Sequence, residues 1–555
     1  MTNRVQMIYP LALAALFAVG LTGHANGQSP LWGKLSPGSH AVGFRTVWQL
    51  DYSRRYNMTF GNATTYATGK APRPILINIW YPAKAADGDK AMRHRDYLEI
   101  RSAEPPLARF SGALADYERG QYAQELPDKP GEGPADRGKH LLDELLDIPT
   151  PSVRDAAAAE GQFPLVIYHA GYGSTFEDNS VLCEFLASHG YVVFGSAFQE
   201  PSGSSFNVDG KQTSVRDMQF LVGYAKQLSN VDWHHVGVIG HSGGAHATLM
   251  YRAQPDCLAD AVVSLDTTQD YFSVADPRWE SMTSVVVKNR KNMTGPMLMV
   301  ANPHAYFELA DSLSLARRYY LTIKDLDHNN FVSQSILSGE LRRRLRSPNS
   351  AGAGGDSPNA EDLKERTRLE TVRSAYESLC IYILQFLNAQ LKGDAAGEEY
   401  LASRYRDTPL AGSAPHVEYV PPGITGPEPY GEDRSQPPTP RQVRDFLRRH
   451  GSAETIALFR RFREVAPEQP IYHRIFGWGL VGDLLDRGQT QDAIAFRDFY
   501  REANFNYDEM YLEWGQIFLR WERRELATDC FKKALLLDPS NREAADKLKE
   551  ASGSK

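Results

Sequence analysis

The sequence predicts an α/β fold with a doubly wound, mostly parallel sheet, followed by an all-α region. Short apolar runs of the kind that form buried strands alternate with helical segments, which is typical of such a sheet. The runs occupy 164–168, 191–195, 236–239, 260–265, 296–300 and 319–323. A stretch rich in proline and glycine follows at 408–440, and helical patterns then continue to residue 555. This change in composition predicts a second, helical unit.

Length and charge limit the classes of function. A chain of 555 residues is long enough for several domains, and its net charge of −7 is modest. The most concentrated basic run, three arginines from Arg342, falls in a polar segment, where we expect it to face solvent. The sequence therefore lacks the concentration of basic residues that is typical of nucleic-acid binding, and we expect no nucleic-acid partner.

The first 27 residues have the layout of a secretory signal peptide. Arg4 precedes an apolar stretch at 7–21, and small residues follow it. This predicts an exported, soluble protein (periplasmic or secreted), with an uncleaved anchor as the alternative. Four cysteines without Cys-x-x-Cys spacing give no reason to expect a metal site, and no cofactor is expected.

The chain divides into a signal peptide, a catalytic domain, a linker and a helical domain. We expect the catalytic domain at 28–405, with a polar, helical insertion at 82–162 and a mobile loop at 337–361. The linker is expected at 406–440. The sequence does not indicate whether the insertion covers the active site.

The helical domain, expected at 441–555, resembles a short tetratricopeptide array. Small, large and helix-breaking residues recur with the spacing of that 34-residue repeat. They are Gly515, Phe518, Ala527, Phe531, Ala534 and Pro539, with Ala493 in a weaker copy 34 residues before Ala527. The resemblance implies a concave surface for a protein partner, and a generic helical bundle is the alternative.

A catalytic nucleophile is predicted at Ser242. The sequence GHSGG at 240–244 follows an apolar strand and opens a helix, which is the setting of a nucleophilic serine in a sharp strand-to-helix turn. Small flanking residues are needed because that turn is tight. The N–H of Gly243, at the start of the helix, is placed to stabilise an oxyanion.

The general base is predicted at His328. A serine hydroxyl needs a base, and His328 follows the last predicted strand, at 319–323. The carboxyl ends of parallel strands meet at one edge of the sheet, so His328 is expected to reach Ser242. The weaker candidates are His241, His246 and His304.

The acid is predicted at Asp266, which ends the strand after the nucleophile. Asp270 and Glu308 are the alternates, since the next strand ends without a carboxylate. The second oxyanion donor is expected to be the N–H of Tyr172, in the turn after the strand at 164–168. Each such donor contributes on the order of a hundredfold to a thousandfold in turnover.

Residues of about 40 to 395 resemble the platelet-activating factor acetylhydrolase and dienelactone hydrolase branches of the α/β-hydrolases. The motifs that carry the resemblance are IWYPA at 79–83, FPLVIYHAGYG at 163–173, LASHGYVV at 186–193, GHSGGA at 240–245, VVSLD at 262–266 and DHNNF at 327–331. It implies a triad of Ser242, Asp266 and His328, with Tyr172 and Gly243 as oxyanion donors. Gly243 stands where that family often has a bulky residue, which predicts a wider acyl pocket.

These observations predict an exported serine hydrolase that cleaves small-molecule or lipid-like carboxylic esters through an acyl-enzyme. A peptidase or an acyltransferase on the same scaffold is the alternative within catalysis. Outside catalysis, the alternative is a silent hydrolase domain that serves the tetratricopeptide-like module.

Overall fold

A computed structural model describes most of the chain. The described residues are 29–55, 58–60, 63–66, 72–123, 135–198, 208–305, 307–346, 360–407, 415–427, 430, 438–465, 474–503 and 508–553. The predicted signal peptide of 1–27 lies outside them. Over these ranges, no helix has both the length and the apolar character needed to cross a bilayer.

One sheet of eleven strands organises the first 420 residues, as far as they are described. The strands are β1 (Ala41–Arg55), β4 (Pro72–Ala83), β5 (Ala91–Arg93), β6 (Pro149–Arg154), β7 (Phe163–His169), β8 (Val192–Gly195), β9 (Val231–His241), β10 (Ala261–Leu265), β11 (Met297–Ala301), β12 (Arg318–Thr322) and β13 (His416–Val420), and β2 (Met58–Phe60) and β3 (Ala63–Tyr66) form a separate hairpin. Their order across the sheet is β13-β12-β11-β10-β9-β7-β8-β4-β1-β6-β5, and β8, β7, β9, β10, β11 and β12 run parallel.

The earlier helices cover both faces of this sheet, and the later helices, as far as the chain is described, follow one another without strands between them. They are α1 (Pro105–Ala123), α2 (Ala135–Leu146), α3 (Ser180–Ser188), α4 (Val208–Ala225), α5 (Gly243–Arg252), α6 (Glu280–Lys288), α7 (Glu308–Ser312), α8 (Gln334–Arg346), α9 (Ala360–Leu391), α10 (Ala395–Asp407), α11 (Pro440–Val465), α12 (Arg474–Asp486), α13 (Thr490–Ala503), α14 (Asp508–Arg520), α15 (Arg524–Leu537) and α16 (Arg542–Ala551).

Two apolar cores lie on opposite faces of the sheet. Side chains of α3 and α9 fill one core, and side chains of α4, α5 and α6 fill the other. The central strands are buried on both faces, which explains why they read as continuous apolar runs. The predicted fold class, a doubly wound and mostly parallel sheet followed by an all-α region, is confirmed.

The linker predicted at 406–440 contains the last strand of the sheet. Strand β13 pairs antiparallel with β12 from His416↔Thr322 to Val420↔Arg318. The prediction was therefore wrong for 416–420. A five-residue edge strand between prolines and glycines is too short to show a clear alternation of apolar and polar residues. Its partner lies about a hundred residues earlier in the chain, so the local sequence does not reveal the pairing.

Two other predicted segments also need correction. The insertion at 82–162 is not only helical, since its strand β6 pairs parallel with β1 and extends the sheet. The loop expected at 337–361 is helical up to Arg346, and α9 begins at Ala360; residues 347–359 lie outside the described part. Arg343, expected to face solvent, has a side chain only 11% exposed, which pairs with Glu340 and Asp362 at 2.8 Å each.

The C-terminal helices pack on one another around a separate core. Two glycines allow close packing: a Cβ on Gly515 would lie 2.4 Å from the ring of Phe531, and one on Gly477 would lie 2.6 Å from the ring of Tyr500. This accounts for the small and large positions seen in the sequence. Membership of the tetratricopeptide family stays a prediction.

A buried ion network joins the first C-terminal helix to the sheet. Asp311 of α7 is 4% exposed and accepts hydrogen bonds from Arg441, at 2.6 and 3.0 Å, and from Arg444, both on α11. The Tyr320 hydroxyl of β12 donates to the same carboxylate at 2.8 Å. Burial opposes ionisation of Asp311, but the two guanidinium groups outweigh it and hold its pKa below the usual value.

Replacing Asp311 by alanine is expected to destabilise the protein by about 3–5 kcal/mol, because it removes the buried carboxylate that two buried guanidinium groups share, although Arg441 still pairs with Glu418. Thermal unfolding, followed by circular dichroism, measures the loss. Asp445→Ala is the control, since Asp445 pairs with Arg449 at the surface and exposed pairs contribute less than about 1 kcal/mol. Equal stability of the Asp311 variant and the wild type would contradict this account.

A second buried carboxylate, Glu184 of α3, ties the chain before β1 and the insertion to the sheet. It accepts hydrogen bonds from Trp32 Nε1 at 2.6 Å and from the Tyr97 hydroxyl at 2.5 Å. Burial raises its pKa from 4.5 to about 7. The protonated form is therefore favoured by folding, and this contribution to stability is lost as the pH rises from about 4.5 to about 7.

Glu184→Gln is expected to flatten part of the pH dependence of stability. The glutamine keeps a hydrogen-bond acceptor but cannot ionise, so the wild type should lose on the order of 3 kcal/mol more than the variant between pH 4.5 and pH 7. Denaturant unfolding at a series of pH values measures both curves. Parallel curves would mean that Glu184 does not titrate in this range.

Candidate active site

Ser242 occupies the sharp turn between β9 and α5. Its backbone has φ 51° and ψ −117°, a strained conformation for a residue with a side chain. The flanking glycines are required by space: a Cβ on Gly240 would lie 2.4 Å from the Gly244 carbonyl oxygen, and one on Gly244 would lie 2.3 Å from the His169 carbonyl oxygen. The turn thus lifts the serine hydroxyl above the carboxyl end of the sheet.

The structure brings Ser242, His328 and Asp266 into one hydrogen-bonded line. His328 begins the short 3₁₀ turn His328–Phe331, after β12. Its Nε2 lies 2.9 Å from Ser242 Oγ, and its Nδ1 lies 2.7 Å from Asp266 Oδ2. In this arrangement the imidazole donates from Nδ1 to the carboxylate and accepts from the serine hydroxyl at Nε2, as a general base must.

Asp266 is held by the loops after two neighbouring strands. It directly follows β10 and is 3% exposed, with φ at 43°. The Tyr271 hydroxyl and the backbone N–H of Asn302, the latter at 3.2 Å, both donate to its Oδ1. The Asn302 N–H also donates to the Tyr271 hydroxyl at 3.0 Å. These donors leave Oδ2 for His328 and fix the direction of the carboxylate.

The alternate acids have other surroundings. Asp270 is fully buried, neither of its carboxylate oxygens has a hydrogen-bond partner among the described residues, and burial raises its pKa well above the usual value. Glu308 accepts from the backbone N–H of Val274 at 2.9 Å and pairs with Arg448. Neither has a hydrogen bond to His328.

The alternate histidines also lie outside the line of hydrogen bonds to the serine hydroxyl. His241 donates from Nε2 to the His328 carbonyl at 2.9 Å, and burial lowers its pKa to about 4. It therefore supports the backbone of the base. His246 is buried against Trp279, with a pKa lowered to about 3 by burial. The backbone N–H of His304 approaches the Asn302 side chain at 3.3 Å.

The two expected oxyanion donors are close together. A Cβ built on Gly243 would lie 3.4 Å from the backbone nitrogen of Tyr172. Gly171, in the same loop, packs against the turn, where its Cβ would lie 3.4 Å from Ser242 Cβ. The loop after β7 is therefore next to the nucleophile, where its N–H groups can reach a developing negative charge.

Two side chains border the space directly beside Gly243. Lys211 of α4, which is 2% exposed, brings its Nζ to 3.2 Å from the position of that Cβ, and Tyr172 closes the other side. These neighbours limit the space beside Gly243, and the wider acyl pocket expected from this glycine stays a prediction. The charge of Lys211 adds to burial in lowering the pKa of His169 to about 3, so this imidazole is neutral at pH 7.

Three supporting residues were not found from the sequence. Tyr271 lies in the same loop as the acid, after β10, and Asn302 follows the neighbouring strand β11; these positions were the only signal for them. Lys211 lies in a helix of ordinary composition and had none. Among the described residues, no group of three or more metal-ligating side chains is arranged to hold an ion.

No protein-family model matches the chain, and no curated protein matches it. Among solved structures, the chain is similar to a ferulic acid esterase from Streptomyces cinnamoneus, with 15% sequence identity and a TM-score of 0.40. The match covers 69% of this chain and 98% of that chain. Similarity at this level indicates neither an activity nor a substrate, so the geometry of the site is the basis for a function.

Proposed function

We propose that the protein is a serine hydrolase acting on carboxylic esters, with Ser242 as nucleophile, His328 as general base and acid, and Asp266 as the residue that orients the imidazole. The observation that carries the proposal is the continuous hydrogen-bonded line from Asp266 through His328 to Ser242, at 2.7 and 2.9 Å. Such a line supports an active enzyme over a silent hydrolase domain, since a degenerate site has no need to keep it.

In the proposed reaction, Ser242 Oγ attacks the ester carbonyl while His328 takes its proton. The negative charge on the carbonyl oxygen is stabilised by the N–H groups of Gly243 and Tyr172. The carbon–oxygen bond to the alcohol then breaks, and His328 returns the proton to the leaving oxygen. Water, activated by the same histidine, releases the acid from the acyl-enzyme.

The finer parts of the proposal rest on the sequence. Its motifs support a relationship to the acetylhydrolase and dienelactone hydrolase branches, and its first 27 residues support export. The tetratricopeptide-like spacing supports a protein partner for the helical region. Because Lys211 and Tyr172 border Gly243 closely, we also propose a preference for short acyl groups.

The test is covalent labelling combined with turnover of matched substrates. A fluorophosphonate probe should label Ser242, as located by peptide mass spectrometry, and p-nitrophenyl esters from acetate to decanoate should be hydrolysed fastest at short chain length. Turnover of p-nitroanilides with no ester turnover would favour a peptidase. If Ser242 is not labelled and no ester is hydrolysed, the proposal is overturned.

A further inference from the structure

A cavity of about 480 Å³ is lined by residues that are adjacent in the chain to Ser242 and His328. Its wall includes Tyr172 of the oxyanion loop, His241 next to the nucleophile, and Asp327 and Asn329 on either side of the base. Since the imidazole delivers its proton to the leaving oxygen, the leaving alcohol of an ester must sit next to it. The cavity is therefore placed to receive the alcohol part of the substrate.

Four amide and hydroxyl side chains in the lining of this cavity make no hydrogen bond within the described part of the chain. Gln121 of α1 comes from the insertion, Asn330 from the turn of the base, and Gln334 and Ser338 from α8. None of these four side chains makes a hydrogen bond in the described part of the chain, although Ser338 is only 9% exposed. They form a set of donors and acceptors that converges from three elements on one cavity.

This chemistry disfavours a lipid-like alcohol. An alkyl chain would displace water from these four groups without replacing the hydrogen bonds, and each loss has a cost. The apolar part of the lining is small, consisting of Val332, Leu369 and Val372 beside Tyr172. Charge does not select an anion either, because Asp327 accompanies Arg342 and Arg368, and Arg368 already pairs with Glu365 at 2.7 Å.

We propose that this cavity binds a hydroxyl-rich, sugar-like alcohol, so that the substrates are acyl esters of sugars or similar polyols. The inference rests on the proposed ester hydrolysis and adds its substrate class. Ser242 takes the acyl group, the bond from the acyl carbon to the sugar oxygen breaks, and that oxygen leaves with the proton from His328. Several hydroxyl groups of one sugar ring then form hydrogen bonds with the unused side chains of the cavity.

The experiment compares two acetates in the full chain: methyl 6-O-acetyl-glucoside and n-hexyl acetate. We expect kcat/KM to favour the sugar ester by about tenfold or more, which corresponds to one or two additional hydrogen bonds. Gln334→Leu and Ser338→Val should each reduce this preference, measured as the ratio of kcat/KM for the sugar ester to that for hexyl acetate, by about threefold to tenfold. Ser335→Ala is the matched control, because the Ser335 hydroxyl in the same wall already donates to the Val332 carbonyl at 2.9 Å.

The outcomes separate this inference from the function on which it rests. Hydrolysis of p-nitrophenyl acetate with equal or better use of hexyl acetate would overturn the sugar-like alcohol and leave the esterase standing. The same holds if the Gln334 and Ser338 variants lower the rates with both alcohols equally. Absence of turnover with all three acetates, together with an unlabelled Ser242, would overturn the hydrolase itself.

Discussion

Replacing Ser242 by alanine is expected to lower kcat for p-nitrophenyl acetate by about 10⁵-fold to 10⁶-fold, because the acyl-enzyme can no longer form. The residual rate reflects only binding and the oxyanion donors. The fold should be unaffected, since among the described residues the hydroxyl has one hydrogen-bond partner, His328, and the strained turn is fixed by its glycines rather than by the serine side chain. Steady-state kinetics with thermal unfolding of the same preparation measures both quantities.

Ser284→Ala is the matched control for this change. Its hydroxyl donates to the Ser281 carbonyl on α6, away from the site, and its loss should leave kcat unchanged within about twofold. Retention of more than a tenth of the wild-type rate by the Ser242 variant, with no contaminating esterase, would mean that another group is the nucleophile.

The site was predictable to the extent that it follows local patterns and the order of the strands. The turn at Ser242 has a local signature, since two glycines there are forced by contacts within a few residues of the strand end and with the neighbouring loop. His328 and Asp266 follow from the rule that carboxyl ends of parallel strands meet at one edge. Tyr271 depends on how a short loop folds back on the acid, and no sequence period describes that.

The fold was predictable wherever burial imposes a pattern. The central strands are buried on both faces, whereas β13 is a short edge strand that only its pairing with β12 defines. Likewise, the charged residues of α8 were interpreted as an exposed loop. In the structure its arginines pair with Glu340 on the same helix and with Asp362 on the next. Contacts between residues distant in sequence produce no repeating apolar pattern, so β13 and α8 were not predicted.

The second large effect on kcat is expected from replacing the catalytic acid, Asp266. Asp266→Asn is expected to lower kcat by about 10⁴-fold, because an amide can donate to Nδ1 and hold the imidazole in the tautomer whose Nε2 carries the proton. That tautomer cannot accept from Ser242. The Tyr271 hydroxyl and the Asn302 N–H still have an oxygen to which they can donate, so the fold should tolerate the change. Kinetics at pH 8 on the folded variant measures the loss.

Asp270→Asn is the decisive comparison, since Asp270 is the rival acid four residues later. Burial raises its pKa well above the usual value and so favours the neutral carboxyl, whose charge and shape asparagine reproduces. The Asp270 variant should keep kcat within about threefold of the wild type, as expected for a site outside the hydrogen-bonded line. The reverse pattern, an active Asp266 variant and an inactive Asp270 variant, would transfer the role of the acid to Asp270, and it would require the loop after β10 to rearrange when substrate binds.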